Sequence, residues 1–334
     1  LKGFHEIMQG NPIQWFPGHM AKTRRRIRED LKLVDAVVEL LDARIPISSK
    51  NPDIQSILGN KPTLTLLNKS SLADPVVTEK WIAAIRKENG WAAAIDCSTG
   101  EGINKIVPIL TSMLSDKITR WRERGMVGRK IKVMVVGIPN VGKSTFINKL
   151  AGARKAKAED RPGVTRDTQW VEVDKKGTGL LLLDTPGVLW PKFEDKTIGE
   201  NLAITGAIRD GVLDLESIAA VLCGRLRAMY PDALCARYGL SEISTYADMT
   251  DYELLLEIGR RRGFLLRGGE IDSERTASVF LDEFRAAKIG RISLEVPYDV
   301  PDTAEVDRPG ENADDTVDKI ESSDDVNTTD TENY

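Results

Sequence analysis

An α/β fold is predicted for residues 1–195, a mainly helical region for 196–294 and a disordered acidic tail for 295–334, on three observations. First, short apolar runs recur at Leu33–Leu41, Leu64–Leu67, Ala92–Ile95, Lys132–Val136, Trp170–Val173 and Leu180–Leu183, each followed by a polar or Gly-containing loop. Helical spacing lies between many of them, at Val77–Arg86, Ile103–Leu114 and Ser144–Leu150. Alternating strands and helices indicate a mostly parallel sheet with helices on its faces. Second, after about residue 196 only helical spacing remains, at Leu215–Arg227, Asp251–Arg261 and Glu274–Ala287, punctuated by Gly and Pro. Third, the end of the chain carries Pro297, Pro301 and Pro309 among many Asp, Ser and Thr, with almost no large apolar side chain. Burial there cannot offset the entropy of ordering the backbone.

Composition narrows the class. With 334 residues, 41% hydrophobic and 29% charged, the chain can bury a real core. No apolar run approaches the ~20 residues of a membrane span. The first residues lack the basic-then-apolar layout of a secretory signal. Cys97, Cys223 and Cys235 are far apart and odd in number, which argues against a disulfide framework and for a reducing, cytoplasmic setting. With only His5 and His19 beside them, no Cys/His metal cluster can be assembled. The net charge of −4 hides an asymmetry: from Glu295 onward there are 14 acidic and 2 basic residues, which leaves 45 basic and 37 acidic residues, a net of +8, in 1–294. A basic body suits a polyanionic partner.

The strongest motif is Gly-Ile-Pro-Asn-Val-Gly-Lys-Ser at 137–144, which fits G-x-x-x-x-G-K-[ST] between an apolar run and a helical pattern. The loop would curl around phosphate oxygens, with Pro139 shaping the turn and backbone N–H groups from Asn140, Val141 and Gly142 through Thr145 facing the ligand. Lys143 would reach the β- and γ-phosphates, and the Ser144 hydroxyl would bind Mg²⁺. Asp184-Thr-Pro-Gly187 follows the run Leu180–Leu183. There Asp184 would hold Mg²⁺, and the Gly187 N–H would meet the γ-phosphate. Between them Thr165, in Arg-Pro-Gly-Val-Thr-Arg-Asp, is the natural switch threonine for Mg²⁺ and γ-phosphate.

A base-reading element should follow Gly187, but none does. It lies upstream: Asn68-Lys69 follows Leu64–Leu67 and looks like the start of an Asn-Lys-x-Asp guanine reader. Ser98-Thr99-Gly100 follows Ala92–Ile95 and suits the loop whose N–H groups meet the guanine oxygen. The order of base reader, second base loop, P-loop, switch one and switch two predicts a circularly permuted P-loop GTPase domain, since chain termini can move to surface loops.

Ile13–Lys22 (IQWFPGHMAK), Leu41–Pro52 (LDARIPISSKNP), Gly137–Thr145, Asp184–Asp195 (DTPGVLWPKFED) and Leu202–Asp210 (LAITGAIRD) closely resemble the RbgA/YlqF family of circularly permuted ribosome biogenesis GTPases. The likeness runs from about Ile13 to Arg291; the acidic tail lies outside it. The resemblance implies hydrolysis of GTP to GDP, slow alone and stimulated by the ribosomal subunit. It also implies a role in late maturation of the large subunit and a helical domain that binds rRNA. A monomer is expected. Competing readings are a nucleotide-gated RNA-binding scaffold with incidental hydrolysis and a relaxed-specificity, ATP-using enzyme.

Three positions qualify the resemblance. The family reader is Asn-Lys-x-Asp, but position 71 is Ser. A serine can accept from guanine but brings no charge and cannot bridge both donors, so weakened guanine selectivity is expected. Asp74 is three residues too late. Where a Ras-type Gln orients water there is Val188, so His19 in WFPGHM becomes the candidate for that role; the alternative is a His that caps or packs its helix. In related GTPases the Asn of Pro-Asn-Val-Gly-Lys-Ser can coordinate K⁺; here that is Asn140, whose alternative role is turn geometry.

Basic clusters at Lys22–Arg28, Lys117–Lys132, Arg154–Lys157 and Arg260–Arg262 suit a phosphate backbone, or else solvated helix faces and internal ion pairs. The aromatics Trp190 and Phe193 either stack on bases or fasten the switch to the helical region.

Overall fold

The structure, a computed structural model, describes residues 17–126, 128–152, 169–173, 179–185, 187 and 195–297. Six strands form one sheet in the order β3-β2-β1-β4-β6-β5. They are β1 (Ala36–Asp42), β2 (Thr63–Asn68), β3 (Ala92–Ala94), β4 (Ile131–Gly137), β5 (Gln169–Val173) and β6 (Leu180–Asp184). All pairings are parallel except β5 with β6. All six apolar runs mark strands. The first begins early, because Lys32–Asp35 turns out of a helix and leaves Leu33 exposed. β1 is buried along its whole length, as a strand covered on both faces must be.

The permutation is visible in the register. The N-terminal half supplies β1, β2 and β3, and the C-terminal half supplies β4, β6 and β5. The halves join where Ala36 pairs with Val133 and Leu40 with Gly137. The C-terminal ends of β1, β2, β3, β4 and β6 therefore lie along one edge of the sheet, where open α/β folds bind ligands.

Helices α1 (Pro17–Leu31), α2 (Pro46–Ser49), α3 (Pro52–Leu58), α4 (Pro75–Asn89), α5 (Ile106–Met113), α6 (Ser115–Glu123) and α7 (Lys143–Ala151) accompany the sheet. The remainder is helical, with α8 (Lys196–Ile204), α9 (Leu215–Met229), α10 (Pro231–Tyr238), α11 (Asp251–Arg261) and α12 (Ser273–Arg285). The apolar side of α9, with Ile218, Leu222 and Leu226, packs on α11 and α12 through Leu254, Ile258, Phe280 and Phe284. Helix starts are fixed by side-chain caps: Asp74 on α4, Asp214 on α9, Asp272 on α12, and a Thr250–Glu253 capping box on α11.

The described residues form one compact unit, so the change at 195/196 is a change of architecture inside it. The expected start of the tail at Glu295 is corrected: Glu295–Pro297 belong to the folded body. Ile292, Ser293 and Leu294 are buried against the α/β layer, with the Ile292 N–H on Leu72 O (3.1 Å) and the Leu294 N–H on Arg44 O (2.9 Å). The Glu295 carboxylate then accepts from the backbone N–H groups of Ile47 (2.6 Å) and Ser48 (3.0 Å) and from Asn201 Nδ2 (2.9 Å). Counted as tail for its charge, Glu295 is held by donors that only folding assembles. Residues 298–334 lie outside those described.

Candidate functional site

The loop from Gly137 to Ser144 joins the end of β4 to α7. Gly142 stands at the start of α7 with φ of 102°, and a Cβ there would lie 2.4 Å from Asn68 Nδ2. Only glycine satisfies both the left-handed backbone and that approach. Pro139 and Val141 are buried, Ser144 and Thr145 half-buried, and Asn140 exposed. Lys143 is buried, and its ammonium donates to the carbonyls of Gly137 (3.1 Å) and Ile138 (2.9 Å). Burial pushes its pKa down to about 8, with Asp184 opposing the shift.

Asp184 ends β6, buried. Burial pushes its carboxyl up, and Oδ1 has no hydrogen-bond partner among the described residues. Gly187 stands against the loop: a Cβ would lie 2.7 Å from Lys143 Nζ and 2.9 Å from Pro139 N. Phosphate oxygens near Lys143 would favour its ammonium form. GDP binding is therefore expected to take up a proton above pH 8, with affinity falling up to about tenfold per pH unit from there. Calorimetric titrations at pH 9 in buffers of different ionisation enthalpy measure that proton; a pH-independent affinity between 7 and 9.5 would contradict it.

Asn68, the last residue of β2, joins the loop after β3 to the loop between β4 and α7. Its Nδ2 donates to Val141 O (2.7 Å), and its Oδ1 accepts from the Cys97 N–H (3.0 Å). Lys69 takes a left-handed conformation (φ 61°), and its ammonium pairs with Asp42 Oδ2 at 3.0 Å. Asp42 ends β1 and is gripped by Arg44, with Nε on Oδ1 (2.9 Å) and Nη2 on Oδ2 (2.8 Å). The two cations hold the Asp42 carboxyl far below the usual range although burial alone would raise it. Arg44 is itself fully buried, its guanidinium 5.5 Å from the centre of the Phe284 ring on α12.

Ser71 donates from its hydroxyl to Asp96 Oδ2, and its N–H lies 3.3 Å from the same oxygen. Asp96 Oδ1 accepts from the N–H groups of Ser98 (2.7 Å) and Thr99 (3.1 Å) and from the Ser98 hydroxyl. The Gly100 N–H closes the turn on Asp96 O (2.8 Å). Asp74 caps α4 through Val76 and Val77 and is not part of this cluster. Asn140 Nδ2 donates to Gly206 O (3.0 Å), linking the phosphate loop to the turn after α8.

The structure thus gathers Asn68, Lys69, Ser71, Ser98, Thr99, Gly100, residues 139–145, Asp184 and Gly187 along one sheet edge. Thr165, Val188, Trp190, Phe193 and Arg154–Lys157 lie outside the described residues, as does the side chain of His19, which stands in α1. Sequence reasoning missed Asp42, Arg44 and Asp96 as site residues. The available signal was an acid at the end of an apolar strand. Of the basic clusters, Arg260 and Arg261 pair with Glu257, and Arg262 with Glu283. Arg120, Arg122 and Arg124 stand exposed, with no carboxylate partner among the described residues. No described group of three or more His, Cys, Asp or Glu could hold a metal, and no described helix is long and apolar enough to cross a membrane.

Residues 132–221 match the family model described as 50S ribosome-binding GTPase. The chain is 49% identical over 286 residues to Ribosome biogenesis GTPase A of Priestia megaterium, covering 85% of this chain and 97% of the relative. It is 48% identical over 289 residues to the protein of that name in Bacillus licheniformis, covering 86% and 99%. GNP-bound YlqF from T. maritima superposes with a TM-score of 0.56 at 29% identity, covering 84% of this chain and all of that one. With a permuted strand order and a phosphate loop at one sheet edge, the chain belongs to the ribosome biogenesis GTPase A family.

Proposed function

We propose that this chain binds GTP, hydrolyses it to GDP and phosphate, and serves as an assembly factor in late maturation of the large ribosomal subunit. The observation that carries the reading is the Asn68 bridge, by which one side chain serves the base-reading and phosphate-binding loops. Backbone N–H groups from Asn140 to Thr145 cradle the phosphates, with Pro139 shaping the turn. The Lys143 ammonium exchanges the Gly137 and Ile138 carbonyls for β- and γ-phosphate oxygens. Lys69 lines the base pocket, its charge held by Asp42, while Ser98, Thr99 and Gly100 present N–H groups to the guanine oxygen.

Ser144, Thr165 and Asp184 are the residues that would hold Mg²⁺. Oxygen donors with an unpartnered buried carboxylate oxygen suit that ion. When bound, Mg²⁺ neutralises phosphate charge. The Gly187 N–H meets the γ-phosphate. Val188 has no group to orient water, and His19 takes that part. Asn140 donates through Nδ2 to Gly206, which leaves Oδ1 as an oxygen ligand for K⁺. rRNA in the large-subunit precursor meets the basic body, including the exposed Arg122 and, lining the cleft of about 400 Å³ beside Trp121, Arg120 and Arg124. The protein works in this reading as a cytoplasmic monomer.

GTP turnover, measured with and without purified large subunits, tests the reading. Slow basal turnover, at least tenfold stimulation by subunits and a further gain in KCl over NaCl are expected. Subunit co-sedimentation is expected to differ between GDP and a non-hydrolysable GTP analogue. His19→Ala is expected to keep GDP affinity and lose about 100-fold in stimulated turnover. No stimulation would remove the assembly role, equal rates in KCl and NaCl the K⁺ role, and unchanged stimulated turnover in His19→Ala the role of His19.

A further inference from the structure

We propose that Asp96 sets the base preference of this site by holding the Ser71 hydroxyl as a committed acceptor for guanine. The proposal rests on Asn68–Ser71 being the base reader. A serine hydroxyl carries one donor hydrogen and two acceptor lone pairs, so alone it cannot tell guanine, which presents N1–H and an exocyclic amine, from adenine, which presents N1 as an acceptor. Here the ambiguity is resolved. Ser71 spends its one hydrogen on Asp96 Oδ2, and its backbone N–H faces the same oxygen at 3.3 Å. What the hydroxyl still offers is lone pairs. A guanine N–H finds a partner there, whereas adenine N1 meets lone pair against lone pair and is left unpaired, the kind of mismatch a polar site rejects most strongly.

The carboxylate is well placed for this. Its residue is buried at the end of β3, and its other oxygen is pinned by Ser98 and Thr99 of the second base loop. Burial would raise its pKa, but the bonds from Ser71, Ser98 and Thr99 prevail and hold it below the ordinary value, so it stays ionised. The negative charge that the usual reader places on its fourth residue is thus displaced by one side chain, behind Ser71. Asp96 is a positioning residue; Ser71 touches the base. The arrangement revises the expectation that Ser71 by itself weakens guanine selectivity.

The same geometry makes an unusual demand on the reciprocal exchange. Ser71→Asp alone sets a second carboxylate against Asp96, which repels it. Ser71→Asp combined with Asp96→Asn removes the repulsion and supplies an amide donor to orient the new carboxylate.

The experiment uses the full chain and displacement of mant-GDP by GDP, IDP and ADP for the wild type and four variants: Ser71→Ala, Asp96→Asn, Ser71→Asp and the Ser71→Asp/Asp96→Asn pair. The wild type is expected to prefer GDP to ADP by at least 100-fold. Asp96→Asn and Ser71→Ala are each expected to reduce that ratio at least tenfold, through loss of GDP affinity with ADP little changed. Ser71→Asp should weaken GDP, and the pair should return it to within about threefold of wild type. If Asp96→Asn weakened GDP and ADP by the same factor, the carboxylate would be a loop cap only and the proposal would fall. It would also fall if Ser71→Asp alone improved GDP binding. A wild type that bound no guanine nucleotide would instead refute the base-reader reading itself.

Discussion

Asn68→Ala is expected to lower GDP affinity by at least 100-fold while leaving the fold intact. The side chain is buried and bridges Val141 O and the Cys97 N–H at 2.7 and 3.0 Å. Truncation removes both partners at once. An unsatisfied buried group costs about 1–3 kcal/mol, so about 2–6 kcal/mol of local order is at stake. That cost is concentrated where three loops must keep register for a nucleotide to touch all of them, so the binding constant carries most of it. Asn68→Asp is expected to fall short of rescue, because a carboxylate accepts from Cys97 but has no hydrogen for Val141 O. Fluorescent-nucleotide titration beside thermal melting separates the effects: a melting temperature that drops steeply with unchanged affinity would show Asn68 to be a core residue and no bridge.

The largest effect on stability is expected at Asp42. Its carboxylate is shared by Arg44 and Lys69, and Arg44 is fully buried. Asp42→Asn keeps the shape and removes the charge, leaving two cations facing each other with no anion between them. Breaking a buried pair in this way costs about 3–5 kcal/mol, which corresponds to a fall in Tm on the order of 6–10 °C. Because the cations hold the Asp42 carboxyl far below its usual pKa, its contribution is complete above the usual carboxylate range and is lost only as pH falls through the depressed value. The deficit of Asp42→Asn should therefore be constant from pH 6 to 9. A second change, Arg44→Met, should recover part of the loss, since an apolar side chain of similar length can lie against Phe284. A Tm for Asp42→Asn within 2 °C of wild type would mean that water, not the carboxylate, satisfies Arg44.

Most of the fold was legible because its inner strands are largely buried and read as near-continuous apolar runs, whereas the edge strand β5 alternates, with Trp170 and Glu172 exposed. The P-loop and Asp184 were legible because anion binding needs glycine and lysine at fixed spacing. What escaped was chemistry that only tertiary neighbours create. Asp42 and Asp96 read as ordinary acids after apolar strands; their meaning depends on Lys69 and Ser71 arriving from another turn, with Arg44 beside Asp42 in its own turn. Helix α6 was read as a basic stretch only, since its amphipathic side is narrow, with Trp121 as its buried anchor. Glu295 was read as tail because composition changes there, although a single carboxylate finds four donors across the chain.

The strand order has a consequence for synthesis. β1 leaves the translating ribosome with β2 and β3 soon behind it, but its other neighbour, β4, follows only about 100 residues after it. At 5–20 residues per second this is a delay of roughly 5–20 s. During that interval β1 has an open hydrogen-bonding edge, and the loop that follows β4 has not yet been made. The late segment through Glu295 docks onto the turn that follows β1, so the first strand made is also among the last to be secured.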